Sequence, residues 1–287
     1  MEIDLAWLLV LPMLFALGWI TARYDKSQQR RETRRVSRDV LSGLSHVLAD
    51  DLKAATESLL SAARLAPDAT ELHRSVGNLY RRRGLIDRAI EVHEGALKHP
   101  DLSAEDQAQL LLDLGRDYLA AGLFDRALNA FEEALDMSSA SGLVPDLANQ
   151  CRAMLLQTAQ RTHDWIGAVK WAQELHHHSG TYEGHSHAQL MGHFFCEQAQ
   201  IALRAGRVED AQAALLKAES FDAPGPRKRV AKLRVEISGE SASQAQTDSA
   251  PAEPVQASCR VCGFRSRQSH WQCPGCHHWD SFLEIKS

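Results

Sequence analysis

Aromatic side chains are scarce in this chain, only 6% of 287 residues. That is thin for an all-β sandwich and ordinary for a helical repeat protein. Positive charge is not in excess either: 32 Lys and Arg face 37 Asp and Glu, for a net charge of -5. A general nucleic-acid binder needs a basic domain or stripe, so nucleic acid is not an expected partner. Six cysteines in a chain this long do not make a disulfide scaffold. There is no nucleophile–base pair, no glycine-rich phosphate loop and no H-E-x-x-H, so an enzyme is not expected. What is present, 44% apolar and 24% charged residues, fits a folded chain with room for roughly two domains.

Residues 5–22, LAWLLVLPMLFALGWITA, carry no charge. As a helix they would extend about 27 Å, close to a bilayer core, with Trp7 and Trp19 near the ends and Pro12 as a flaw. Glu2 and Asp4 precede the run and no A-x-A site follows, which argues against a secretory signal. The expectation is a transmembrane anchor at 1–22 followed by a basic juxtamembrane segment at 23–36. Arg23, Lys26, Arg30, Arg31, Arg34, Arg35 and Arg38 all follow the run, so the positive-inside rule places the soluble part on the cytoplasmic side.

From residue 37 to 237 the chain repeats. VGNLYRRRGLIDRAIEVHEGAL carries Gly77, Tyr80, Gly84, Ala89 and Ala96; LGRDYLAAGLFDRALNAFEEAL carries Gly115, Tyr118, Gly122, Ala127, Phe131 and Ala134. This is the tetratricopeptide pattern, in which small residues let paired helices approach and an aromatic fills the space beside them. An earlier copy holds Gly43, Ala55 and Leu59; weaker ones hold Trp165 with Ala168 and Gly206 with Ala211. Five copies, with RKRVAKLRVEI at 227–237 as a capping helix, predict an all-α tetratricopeptide superhelix.

First helices line the inner surface of such an array. Arg74, Asn78, Arg81 and Arg82 of the second copy and Arg116 of the third are the candidate protein-binding groove, suited to acidic or backbone acceptor groups. Arg81 and Arg82 also read as solvated charges at a helix C-terminus. Cys151 and Cys196 lie among apolar residues and are expected to be buried structural thiols. His176, His177, His178, His185, His187 and His193 crowd an inter-repeat stretch and read as compositional chance in a loop, with adventitious metal binding as the alternative.

Residues 238–257 are rich in Ser, Ala, Gln and Pro and should form a flexible linker. The module at 258–287 follows, with Cys259-x-x-Cys262 and Cys273-x-x-Cys276. Each pair can place two sulfurs on one ion from a tight turn, and four thiolates suit tetrahedral zinc or a mononuclear rubredoxin-type iron. So short a segment cannot bury a sufficient core, so the ion must supply much of its folding free energy. Phe264, Trp271, Trp279 and Phe282 are expected around the sulfurs, with some left for docking. Four cysteines leave no open position for a hydrolytic water, although redox service remains open if the ion is iron.

Taken together, RRVSRDVLSGLSHVL at 34–48, the two repeat segments above, CRVCGF and HWQCPGCHHWDS resemble the lipopolysaccharide assembly protein B family. The resemblance implies a non-enzymatic adaptor at the bacterial inner membrane that works with the membrane protease FtsH to control degradation of the LpxC deacetylase. It implies that Cys259, Cys262, Cys273 and Cys276 bind one metal ion, iron by resemblance, in a rubredoxin-like module that packs on the repeats. Family members carry more repeats before the knuckle than the five seen here. A generic envelope-assembly scaffold and a small electron-transfer protein are the alternatives; self-association stays open.

Overall fold

The computed structural model describes residues 5–66, 68–141, 145–179, 181–182, 184–238, 256–267 and 270–285. Within 5–32 most side chains lie outside that description. The chain divides into two compact units, Met1–Ala148 and Asn149–Ser287.

The first unit holds α1 (Leu5–Leu48), α2 (Leu52–Leu65), α3 (Thr70–Arg82), α4 (Ile86–Leu97), α5 (Ala104–Ala121) and α6 (Phe124–Ser141); α7 (Pro145–Arg161) begins at its end. The helices pair as α1–α2, α3–α4 and α5–α6. In each pair a glycine on the first helix faces a larger side chain sixteen residues later. A Cβ on Gly43 would fall 2.6 Å from Leu59, one on Gly77 2.3 Å from His93, and one on Gly115 2.5 Å from Phe131. Carbon atoms prefer about 3.5–4.0 Å, so only glycine admits these partners at this spacing.

The second unit continues with α8 (Trp165–Ser179), a short hairpin of β1 (Thr181–Tyr182) and β2 (His185–Ser186), then α9 (His187–Arg204), α10 (Val208–Ser220) and α11 (Pro224–Ser238). Here the size order is inverted in one pair and kept in the other: Leu156 precedes Ala172, while Ala199 precedes Leu215, all buried. The turns inside all five helix pairs are alike. Asp50, Gly84, Gly122, His163 and Gly206 each adopt positive φ, between 57° and 76°. In each, the next amide donates back to a carbonyl of the preceding helix, as Leu123 does to Tyr118 at 2.8 Å and Asp164 to Ala159 at 2.9 Å.

The second unit ends in a small antiparallel sheet of β3 (Gln256–Cys259), β4 (Arg265–Ser266) and β5 (Phe282–Ile285), in the order β4-β3-β5. Ser258 pairs with both Arg265 and Leu283, and Cys259 with Phe282. The linker expected at 238–257 falls almost wholly outside the described residues: Ser238 closes α11, and Gln256 opens β3.

The transmembrane element of the expected fold class requires correction. Among the described residues no helix is long and apolar enough to cross a membrane. The apolar run is not a separate element: it opens one helix of 44 residues that continues through the basic segment into the first repeat. Along α1, Gly43 is buried against Leu59, and Val40 and Val47 pack on the core of the first repeats. The inner-membrane, single-pass placement with a cytoplasmic soluble part rested on that span and is withdrawn with it.

Candidate metal centre

The four knuckle cysteines converge. Their sulfurs all lie within 4.8 Å of one another, with Cys259–Cys276 and Cys262–Cys273 each at 3.6 Å. A tetrahedral ion with bonds of about 2.3 Å has sulfur–sulfur edges of about 3.8 Å. These are therefore coordination distances, far longer than the roughly 2.05 Å of a disulfide. Two tight turns aim the sulfurs inward. The amide of Val261 donates to Cys259 Sγ and that of Gly275 to Cys273 Sγ, both at 3.4 Å. A Cβ on Gly275 would lie 3.4 Å from Phe264 and 3.5 Å from Cys262 Sγ, so the second turn has little space to spare.

The electrostatics of the cluster call for a cation. At Cys259 burial opposes ionisation, but hydrogen bonding with Ser281 and with the backbone outweighs it and brings the thiol down to about 6. Cys276 is pushed up to about 12 by burial and by the neighbouring sulfurs. Four thiolates cannot share this volume unless a positive charge sits among them. The donor set fits one metal ion held by Cys259, Cys262, Cys273 and Cys276, of a kind that prefers four sulfurs, zinc or iron. When bound, such an ion supplies folding free energy and, if iron, a one-electron couple.

The knuckle sits on the helices through the loop after Cys276. Trp279 is 2% exposed and enters the apolar core of the second unit. Its ring stacks on His193 at 4.6 Å and meets Trp165 and Phe194 edge-on at 6.0 Å. Its indole N–H donates to Gln160 Oε1 at 2.9 Å. Asp280 Oδ2 bonds to His193 Nε2 at 2.9 Å. Burying one indole of roughly 200 Å² stabilises the docked state by about 5 kcal/mol at most. Of the four aromatics expected around the sulfurs, Phe264 and Phe282 stay with the knuckle, edge-on at 6.4 Å, while Trp279 docks and Trp271 packs partly buried beside it.

The docking residues on the helix side were not visible as such in the sequence. Gln160 gave no signal. His193 was one of six histidines in a stretch taken for loop, yet the stretch is the end of α8, the hairpin and the start of α9, and His193 is fully buried. Its place inside the apolar helical run LMGHFFC at 190–196 was the available signal. Cys151 and Cys196 are buried as expected, and burial lifts the Cys196 thiol to about 11.

The candidate groove residues lie in the first unit, drawn together by two buried aspartates of α5. Arg74 donates to Asp113 at 3.0 Å and to Glu71 at 2.8 Å. Arg81 donates to Asp117 at 2.6 Å, to the Asp113 carbonyl at 3.1 Å, and to Asn78. Arg116 donates to Asp113 at 3.1 Å. Asp117 also bonds His93 Nδ1, and both side chains are wholly buried. Arg82 is exposed.

Comparison with known proteins follows this anatomy. Residues 258–284 match the rubredoxin metal binding domain family, and residues 68–140 match the tetratricopeptide repeat family. The chain is 30% identical over 229 residues to lipopolysaccharide assembly protein B of Escherichia coli (strain K12), covering 79% of this chain and 56% of that protein. In its repeats and its knuckle together the chain is similar to the lipopolysaccharide assembly protein B family. The family protein of Haemophilus influenzae (strain ATCC 51907 / DSM 11121 / KW20 / Rd) is 29% identical over 176 residues, 58% of this chain and 43% of that one. The chain thus spans about half the length of the curated relatives it matches. Among solved structures, the apo form of RapI gives a TM-score of 0.50 at 11% identity, over 75% of this chain and 63% of that one. That likeness is of fold alone; the family likeness rests on the repeats and the knuckle together.

Proposed function

We propose that this chain is a non-enzymatic adaptor in lipopolysaccharide assembly. The observation that carries this reading is the pairing, in one chain, of tetratricopeptide repeats with a four-cysteine knuckle seated on the helices of the second unit. Four sulfurs complete a tetrahedral ion, so the metal has a holding role and no position for a reacting water. The finer reading, carried from the family, is that the adaptor couples the FtsH protease to degradation of the LpxC deacetylase. Residues 37–237 are the partner-carrying array, 238–257 the linker and 258–287 the metal module.

The partner face we assign is that of α3, with exposed Arg82 as first contact. Arg74, Asn78, Arg81 and Arg116 stand behind it, and an incoming acidic group would compete for them with Asp113 and Asp117. The test is expression of the full chain in a bacterium lacking its own family protein. Restored LpxC turnover and co-purification with FtsH are expected. Unchanged turnover with other envelope enzymes co-purifying would replace the coupling role with that of a general scaffold.

A further inference from the structure

We propose that His193 and Gln160 are positioning residues of the metal site. Through Asp280 and Trp279 they couple ion binding by the four cysteines to closure of the last helices. The inference rests on the metal reading of those cysteines and goes beyond it.

His193 lies 87 residues from Asp280 in sequence, on α9, and no side-chain surface of it reaches solvent. Asp280 is the hydrogen-bond partner of its Nε2; its Nδ1 has none among the described residues. Gln160, 5% exposed, accepts from the Trp279 indole and, at 3.4 Å, from Gln272. Polar groups this buried are costly unless satisfied, and here the partners that satisfy them come from the knuckle.

The loop that delivers those partners is tied to the sulfur-bearing turns. The amide of Cys273 donates to the His278 carbonyl at 2.9 Å, and the amide of Arg260 to the Ser281 carbonyl at 2.8 Å. Ser281 Oγ lies 3.3 Å from Cys259 Sγ and donates to the His278 carbonyl at 3.1 Å. Residues 278 and 281 are thus pinned to the ligand turns, and the two residues between them, Trp279 and Asp280, meet the helices. Asp280 itself sits at φ 49°, a backbone state that a side chain holds only when its surroundings fix it.

The same carboxylate reaches a third element. A Cβ on Gly225, in the first turn of α11, would fall 2.0 Å from Asp280 Oδ2, and one on Gly192 of α9 would fall 2.7 Å from Pro226. Asp280 therefore sits where α9 and α11 come together. With the ion gone, the ligand turns lose their common anchor, the loop leaves, and His193 and Gln160 lose their partners. Linkage runs both ways: whatever the helices contribute to docking also tightens the ion.

The experiment uses the full chain and zinc, titrated against a chromophoric chelator. His193→Phe keeps a ring against Trp279 but removes the hydrogen bond to Asp280; Gln160→Leu removes the indole's acceptor. Each variant is expected to hold zinc about tenfold more weakly, the effect of roughly one charge-assisted or buried hydrogen bond. Circular dichroism confirms that the helices remain. Wild-type affinity in both variants would overturn the proposal. Hydrogen exchange on the wild-type chain, with and without zinc, gives a reading free of any folding defect. Zinc removal should speed exchange in α9 and the first turn of α11 while leaving α3–α6 unchanged. A change confined to residues 256–285 would overturn the coupling and leave the metal site standing. A wild-type chain that takes up neither zinc nor iron would overturn both.

Discussion

Removing the carboxylate of Asp117 should destabilise the first unit, by an amount that depends on what replaces it. Asp117 is wholly buried and serves two donors at once, Arg81 at 2.6 Å and the buried His93. Asp117→Leu deletes both bonds. Arg81 keeps 20% side-chain exposure and a second bond to the Asp113 carbonyl, so part of its charge can be solvated, whereas His93 cannot rehydrate. Breaking a buried pair by deleting one partner costs about 3–5 kcal/mol. Asp117→Asn keeps one acceptor for Arg81, and His93 can change tautomer to accept from the amide, so about 2 kcal/mol is expected. Replacing the whole cluster with Arg81→Met, His93→Phe and Asp117→Leu should recover most of the loss, because no unpaired polar group is left behind. Phe is also the residue at the equivalent position of the next repeat, Phe131. Urea unfolding of the metal-saturated protein, followed by far-ultraviolet circular dichroism, measures all three. The reasoning fails if Asp117→Leu lies within 1 kcal/mol of wild type, or if the triple variant is the least stable of the set.

Gly115→Ala should cost roughly 1 kcal/mol, about 2 from crowding Phe131 less about 1 gained in helix propensity. Phe131→Leu added to it should be less harmful than Phe131→Leu alone, and a purely additive double-mutant cycle would refute the packing account. Cys151 and Cys196 should resist thiol reagents in the native, metal-loaded protein at neutral pH, since burial holds the Cys196 thiol at about 11; mass spectrometry showing rapid alkylation at either would refute this. Burial first, and then the stacked His176 at 4.3 Å, lower the His187 pKa below its ordinary 6.5. Below that value the unfolded chain binds a proton that the folded chain resists, so stability should fall as pH drops from about 6.5 through the folded value. His187→Phe should flatten that slope in a pH series of thermal unfolding.

The helical repeats were legible because their constraint is local and periodic. Gly77, Gly115, Ala89 and Ala127 recur at fixed intervals, and the positive-φ turns recur with them. The cysteine knuckle was legible because two sulfurs on one turn need a fixed spacing. The seat of the knuckle was not, because Gln160 and Asp280 are more than a hundred residues apart and neither belongs to a repeat signature. Nor was the service that Asp113 and Asp117 give to the arginines of α3. An aspartate written on a helix does not announce that it will be buried, and the arginines alone read as a free basic face. The apolar run at 5–22 was read by composition as an element complete in itself. Continuity of α1 into the first repeat depends on Val40, Val47 and Gly43 packing on α2, and a hydropathy count does not contain that information.

The matched sizes inside each helix pair limit how such an array can change over time. Gly115 belongs with Phe131 as Leu156 belongs with Ala172: the first pair sets a small residue before a large one, the second a large before a small. A crossover within a pair would set Leu against Phe in one product and Gly against Ala in the other, one overfilled and one hollow. A crossover in the segments between pairs keeps every couple intact. The permitted joints of the chain are therefore the connections between helix pairs, and the heritable unit is the pair rather than the helix.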